Sequence, residues 1–269
     1  MKALKRGHYT LHDVNTADGG AAGRCAPPNQ LWRAYSDAVN TVFLARFLPK
    51  RQIDCLLKTD LFDEALSDGL YPHLSHQARS VVGIDLSMPT VQTAGSRYPD
   101  LRALAADVRC LPFADNRFDV IISNSTLDHF KSRGEILASL RELNRVLRNG
   151  GQLLLTLDNL ANPIVALRNA LPFRLLNRIG LVPYYVGPTF GPRGLLRVLR
   201  QAGFDTQDVV ALMHSPRAIA VALARLFEKY ATPETHRRFL RFLLGFEHLS
   251  RCPTRFVTGY YVAAHAKKR

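Results

Sequence analysis

The chain has 269 residues, 47% of them hydrophobic and 22% charged, which is enough for one large domain or a domain with an inserted cap. Its four cysteines, Cys25, Cys55, Cys110 and Cys252, form no C-x-x-C pair and no zinc spacing. That excludes a disulfide framework, leaves no expected metal site, and fits free thiols in a reducing, cytoplasmic compartment. The net charge of +14 is uneven: residues 161–269 hold 17 basic and 5 acidic residues, whereas residues 1–160 hold 19 and 17. Such a field favours an acidic partner: anionic lipid, nucleic acid or a phosphorylated substrate. No apolar segment follows the basic start at residues 1–6, so no leader is expected, and the apolar run 218–224 is far too short to span a bilayer.

Residues 1–29 are rich in Gly, Ala and Asn and read as a flexible arm. Trp32, Tyr35, Val39, Val42, Phe43 and Phe47 recur at helical spacing and predict an amphipathic helix over 30–48. Residues 53–57 predict a first strand, and a helix starts within 61–70. Residues 81–85 predict a second strand, after which Ser87 caps a helix over 88–97 with Pro89 in its first turn. A third strand over 101–106 ends at Asp107, and a turn-rich connector leads to a fourth over 120–123. Ile136, Leu137, Leu140, Leu143, Val146 and Leu147 share one face of a helix over 132–147, which Asn149-Gly150-Gly151 would stop. A fifth strand follows over 152–157. Strands alternating with helices at this pitch predict a parallel sheet with right-handed crossovers.

Beyond Asp158 the texture changes. Residues 163–203 are apolar and arginine-rich, and predict two or three short helices with a Pro/Gly-rich break at 182–191. A sixth strand over 204–213, helices over 218–230 and 233–249, and a last strand over 256–265 complete the chain. The expected division is a core at 30–160, a helical cap insert at 161–203, and a completion of the sheet with a basic helical insert at 204–269.

The stretch V-V-G-I-D-L-S at 81–87 organises the rest. A short apolar run fits a buried parallel strand, and an acid at its carboxyl end points into the crevice where open α/β sheets bind ligands. Asp85 there would accept two hydrogen bonds from vicinal ribose hydroxyls. Asp107 also follows a strand, so both carboxylates reach one crevice.

Three further stretches accompany it: A-D-V-R-C-L-P-F-A-D-N-R-F-D-V-I-I-S-N at 106–124, L-D-H-F at 127–130, and L-R-E-L-N-R-V-L-R-N-G-G-Q-L-L-L-T at 140–156. Together with 81–87 they resemble the class I S-adenosylmethionine-dependent methyltransferases, in the large group that includes the ubiquinone and menaquinone C-methylases. The resemblance implies a Rossmann-like, seven-stranded, mostly parallel sheet with helices on both faces. It implies S-adenosylmethionine as cofactor, with Asp85 on the ribose and Leu86 packed on the adenine. Asp107 would accept from the adenine amino group while the Val108 amide donates to the ring. Ser123 and Asn124 would lie beside the methionine end.

One departure stands out. Where the family carries an acid and a glycine-rich loop, this chain reads Leu56-Leu57-Lys58-Thr59-Asp60-Leu61-Phe62-Asp63-Glu64-Ala65. Glycines there bring backbone close to the cofactor, and Lys58 reverses the charge of the acid. Three readings stand: a rebuilt site with Lys58 on the methionine carboxylate and Asp60, Asp63 or Glu64 on its amine; a fold that has lost the cofactor; or a changed nucleoside ligand. Survival of Asp85, Asp107, Ser123 and Asn124 favours the first.

For catalysis, His129 beside Asp128 is the candidate base. Tyr35 on the first helix and His214 are candidates to face the substrate. The Leu-, Phe- and Arg-rich cap favours a small-molecule, lipid- or quinone-like acceptor. The stripe of Phe239, Phe242 and Phe246 flanked by Arg237, Arg238 and Arg241 fits either packing on the sheet or peripheral contact with an anionic membrane. Nucleic acid ranks lower because no recognised motif for it is present. The alternative function is a non-catalytic or altered-ligand protein on the same fold, binding an acidic partner through its basic half.

Overall fold

The computed structural model describes residues 29–178 and 185–269. Strands β1 (Ile53–Lys58), β2 (Ala78–Asp85), β3 (Arg102–Ala105), β4 (Phe118–Asn124) and β5 (Leu147–Asp158) pair in parallel. β7 (Tyr261–Lys268) runs antiparallel between β5 and β6 (Phe204–Leu212), giving the order β3-β2-β1-β4-β5-β7-β6. The central strands alternate apolar side chains to both faces, as a doubly covered sheet requires. On β5, Leu153, Leu155 and Leu157 enter one core, and Leu154 enters the other with Val120 and Ile122 of β4.

The first core is closed by Ile136, Leu140 and Leu143 of α5 (Arg133–Val146) and by Leu195 and Leu199 of α8 (Pro192–Gln201). The second is closed by Phe43 and Leu44 of α1 (Gln30–Phe47), Leu74 of α3 (Tyr71–Gln77), and Val91 and Ala94 of α4 (Met88–Arg97). A third cluster joins Tyr35 and Val39 of α1 to α9 (Arg217–Tyr230) and α10 (Pro233–Gly245). Short helices α6 (Pro163–Ala170) and α7 (Phe173–Arg178) follow β5, and α11 (Arg255–Thr258) precedes β7. Among the described residues no helix is long and apolar enough to cross a membrane.

Several local expectations change. The helix within 61–70 is broken into α2 (Phe62–Leu66) and α3, because Gly69 takes a positive φ of 57° and Pro72 restarts the helix. Helix α5 ends at Val146, and Asn149-Gly150-Gly151 lies inside β5 as an irregularity with Gly150 at φ 71°, not as a helix cap. The last strand starts at Tyr261, since 255–258 is helical. Val42 is exposed on the otherwise buried face of α1. On α10, Phe239 and Leu243 pack inward, Phe242 faces outward, and Arg237 and Arg238 pair with Glu234. The 1–28 part of the arm and the 182–184 start of the Pro/Gly-rich break lie outside the described residues.

Candidate functional site

The chain runs outward from β1 to β2 and β3, then returns to place β4 on the other side of β1. That reversal opens a crevice at the carboxyl ends of β1 and β4, the place where open α/β sheets take ligands. A cavity of about 180 Å³ lies there. Thr59 and Asp60 line it after β1, Asp85 and Leu86 at the end of β2, Asp107 and Val108 after β3, and Thr126, His129 and Phe130 after β4. Six of the eleven residues singled out above therefore meet at one cavity: Asp60, Asp85, Leu86, Asp107, Val108 and His129.

Asp85 is fixed by two amides. Leu61 N–H donates to Oδ2 at 3.1 Å and Ser87 N–H donates to Oδ1 at 2.8 Å. Each oxygen keeps a second lone pair for a ligand. Ser87 also caps α4, so one residue starts the helix and holds the carboxylate. Asp60 accepts from Phe62 N–H at 2.8 Å in an Asx turn, and burial pushes its carboxyl up to about 6 against the pull of Lys58.

Lys58 departs from the expectation. Its ammonium lies 2.8 Å from Glu64 Oε2, donates to the Asp60 carbonyl, and is buried, so it turns away from the cavity and into the loop's interior. Burial opposes its charge, yet Glu64 and Asp60 together hold its pKa above the ordinary lysine range. Glu64 also accepts from Leu70 N–H at 3.0 Å. Leu61 completes the replacement: its side chain seats on Gly83, where any Cβ would overlap it. The bulk that takes the place of the glycines is thus packed against β2.

Asp107 reaches the cavity with its carboxylate already held. Arg109 makes three bonds to the two oxygens through Nε and Nη2, its amide adds a fourth, and its Nη1 reaches Glu135 at 2.7 Å. Burial works against the charge, but Arg109 outweighs it and holds the Asp107 pKa below the usual range. Ser123 lies beneath the cavity, fully buried, and accepts from the Thr59 hydroxyl at 2.9 Å. Asn124 Oδ1 is buried with no hydrogen-bond partner among the described residues.

His129 Nδ1–H donates to the Tyr185 carbonyl at 3.3 Å, which leaves the lone pair of the neutral ring on Nε2. Nε2 lies 4.0 Å from Asp128 Oδ1. Asp128 is buried, accepts from Asp158 N–H at 3.0 Å, and has Oδ1 unpartnered among the described residues. Burial and the neighbouring Asp158 raise its pKa. Gly187 N–H donates to the Asp128 carbonyl at 2.7 Å, and a Cβ at Gly187 would overlap the Phe130 carbonyl oxygen. The strap at 185–187 therefore lies directly on the turn at 128–130.

Tyr35 and His214 are brought together, but away from the cavity. Glu247 accepts from the Tyr35 hydroxyl and from the amides of Met213 and His214. The His214 ring is spent on Thr258 Oγ1 at 2.8 Å and the Ala211 carbonyl at 3.2 Å, and burial lowers its pKa. Both serve the framework here, as donors gathered around the half-buried Glu247 carboxylate. Sequence reasoning missed Asp37, on α1, whose carboxyl is pushed up to about 7 by burial and by Asp63 and Glu64. It also missed Thr126, Phe130 and Arg109, each within four residues of a residue already singled out.

Residues 67–155 match the family model described as a methyltransferase domain, a span that begins after the altered loop. A demethylmenaquinone methyltransferase from Corynebacterium kroppenstedtii is 31% identical over 136 residues, covering 48% of this chain and 56% of that protein. Residues 67–155, about a third of the chain and the part that holds Asp85, Asp107 and His129, are thus similar to a methyltransferase domain. A malonyl-[acyl-carrier protein] O-methyltransferase from Pseudescherichia vulneris is 37% identical over 76 residues, 28% of this chain and 29% of its own length. The chain thus spans less than two thirds of either relative. The crystal structure of geranyl diphosphate C-methyltransferase from Streptomyces coelicolor, in complex with geranyl diphosphate and S-adenosyl-L-homocysteine, superposes with a TM-score of 0.59 at 15% identity, over 93% of this chain and 86% of that one.

The residues around the crevice fit S-adenosylmethionine. Asp85 would offer its open lone pairs to ribose hydroxyls, and Val108 would lie against the adenine. The Asp60 carboxyl on the cavity wall and the orphaned Oδ1 of Asn124, which is not part of that wall, would supply acceptors for an ammonium. Only Asp107 must loosen its grip on Arg109 to serve the adenine amino group.

Proposed function

We propose that this protein binds S-adenosylmethionine at the carboxyl ends of β1, β2 and β4 and moves its methyl group to a small, apolar acceptor that enters from the cap side. The observation that carries this reading is the convergence of Asp60, Asp85, Asp107, Val108 and His129 on one cavity at the reversal of the sheet. When bound, the cofactor supplies an electrophilic methyl on its sulfonium. Asp85 would hold the ribose hydroxyls, Leu86 and Val108 would bracket the base, and Asp60 with Asn124 would hold the ammonium. Lys58 keeps the loop folded instead of binding the carboxylate.

Placing the two reactants in line does most of the work of such a transfer. A hydroxyl or carbon acceptor also gives up a proton, and His129 Nε2 takes it while the Tyr185 carbonyl holds the ring in one tautomer. The deciding experiment is a calorimetric titration with S-adenosylmethionine and S-adenosylhomocysteine, with Asp85→Ala as the control. Micromolar binding that is lost in the variant supports the reading. Wild-type protein that binds neither sinks it, and favours the second reading, a changed nucleoside ligand, for which Leu61 packed over Gly83 is the supporting observation.

A further inference from the structure

A second cavity of about 500 Å³ lies on the cap side of the 128–130 turn. Leu160, Leu171, Phe173, Leu176, Tyr185 and Pro188 give it apolar walls. Its charged lining is of one sign: Lys131, Arg133 and Arg168, with no Asp or Glu. Arg168 is partly committed, since it pairs with Asp158 at 2.7 Å and donates to the Tyr260 hydroxyl at 2.9 Å, yet its Nε is buried without a partner among the described residues. Arg133 lies over the Phe190 ring at 5.3 Å and donates to the Thr189 carbonyl at 3.5 Å. Among the described residues neither Lys131 nor Arg133 has a carboxylate within ion-pair distance. The nearby Glu135 does not neutralise them, because Arg109 and the Ser132 amide already hold it.

Both cations flank Ser132, the N-cap of the 14-residue helix α5, whose dipole adds positive potential at the same point. Unsatisfied cations at the edge of an apolar hollow favour a ligand that brings both an apolar body and an anion, because each half alone wastes the other half of the site. The hollow shares a wall with the smaller cavity: His129 lines one, Tyr185 lines the other, and the two are hydrogen-bonded.

We propose that this cavity binds an apolar molecule carrying one phosphate or carboxylate group, with Lys131 and Arg133 on the anion. As the acceptor site of the methyl transfer it rests on the function proposed above; as a binding site it stands apart from it.

The test uses decyl phosphate, decanol and inorganic phosphate as probes, below the micelle concentration, on the full chain. Decyl phosphate binds at least tenfold more tightly than decanol, and K131Q/R133Q erases that preference while leaving decanol affinity unchanged. Both positions are exposed, so the variant folds. Equal affinities for decyl phosphate and decanol, or a preference that survives in K131Q/R133Q, would overturn the anionic half. Inorganic phosphate binding as tightly as decyl phosphate would overturn the apolar half. S-adenosylhomocysteine titrated into the same samples reads the smaller cavity alone. Its failure to bind removes the methyltransferase reading and leaves the assignment of the larger cavity intact, whereas decyl phosphate failing while S-adenosylhomocysteine binds removes only the latter.

Discussion

The Lys58 ammonium and the Glu64 carboxylate stand 2.8 Å apart, with both side chains shut off from solvent. Taking one member of such a pair away strands a buried charge and typically costs about 3–5 kcal/mol, whereas neutralising both is far milder. Lys58→Met alone is therefore expected to lose stability on that order in urea titrations. Adding Glu64→Gln, which still accepts from Leu70 N–H, recovers most of it. In the double variant S-adenosylhomocysteine affinity stays within about threefold of wild type, since Lys58 does not line the cavity. A double variant that folds well and loses binding would return Lys58 to the list of ligands.

Acid residues near this loop set a pH dependence. Asp37 holds its proton up to about 7, against an ordinary 3.8, and Asp60 up to about 6. Each binds its proton more tightly folded than unfolded, so the stability it contributes is complete below the unfolded value and is lost as pH rises through the folded one. For Asp37 that window runs from about 4 to about 7. Asp37→Asn removes the repulsion from Asp63 and Glu64 and should raise Tm more at about pH 8 than at about pH 5. A gain of equal size at both would show that Asp37 ionises freely in the folded chain.

Arg109 occupies the carboxylate that an adenine amino group would use. Arg109→Met frees Asp107, and S-adenosylhomocysteine should bind roughly two- to tenfold tighter, a gain of up to about 1.4 kcal/mol. The same change removes the pairs with both Asp107 and Glu135 and lowers stability by about 1–2 kcal/mol, as expected for two partly exposed ion pairs. Weaker binding in this variant would mean that the guanidinium itself contacts the ligand.

The strap at 185–187 gives a steric test. A methyl at Gly187 has nowhere to go, because the Phe130 carbonyl already fills its place. Gly187→Ala should lift the strap from the 128–130 turn and cost about 1–3 kcal/mol, the range for overpacking a close contact. Hydrogen exchange at the Gly187 amide should speed up, since its bond to the Asp128 carbonyl is lost. Unchanged stability and exchange would show that the strap does not rest there.

Local chemistry made much of this legible in the sequence. β2, its Asp85 and the Ser87 cap stand within ten residues, and each signal is short-ranged: an apolar run, a terminal acid, a hydroxyl before a helix. Asp107 and His129 were visible for the same reason, each just past a strand. Pairings across the chain were not. Helical spacing says that Tyr35 points inward, but nothing near it announces Glu247, 212 positions away. The charge of Lys58 was plain, and its partner only six residues on, yet whether that pair faces the crevice or the core depends on how Leu61, just before α2, packs on Gly83. Gly150 carried a turn signal that β5 absorbed, because pairing with β4 and β7 outweighs a local preference for a break.

The position of β7 has a consequence for synthesis. It is the last of these seven strands to leave the ribosome, yet it sits between β5 and β6 and, among the described residues, is the only strand bonded to β6. Until residues 261–268 emerge, β5 keeps an open edge along seven paired positions and β6 has no sheet to join. A nascent chain in that state presents a long apolar edge, the kind of surface that templates aggregation. Translation that halts before Tyr261 would thus yield a chaperone client in which β1 to β5 can pair while β6 stays unjoined, until the seventh strand is threaded between β5 and β6.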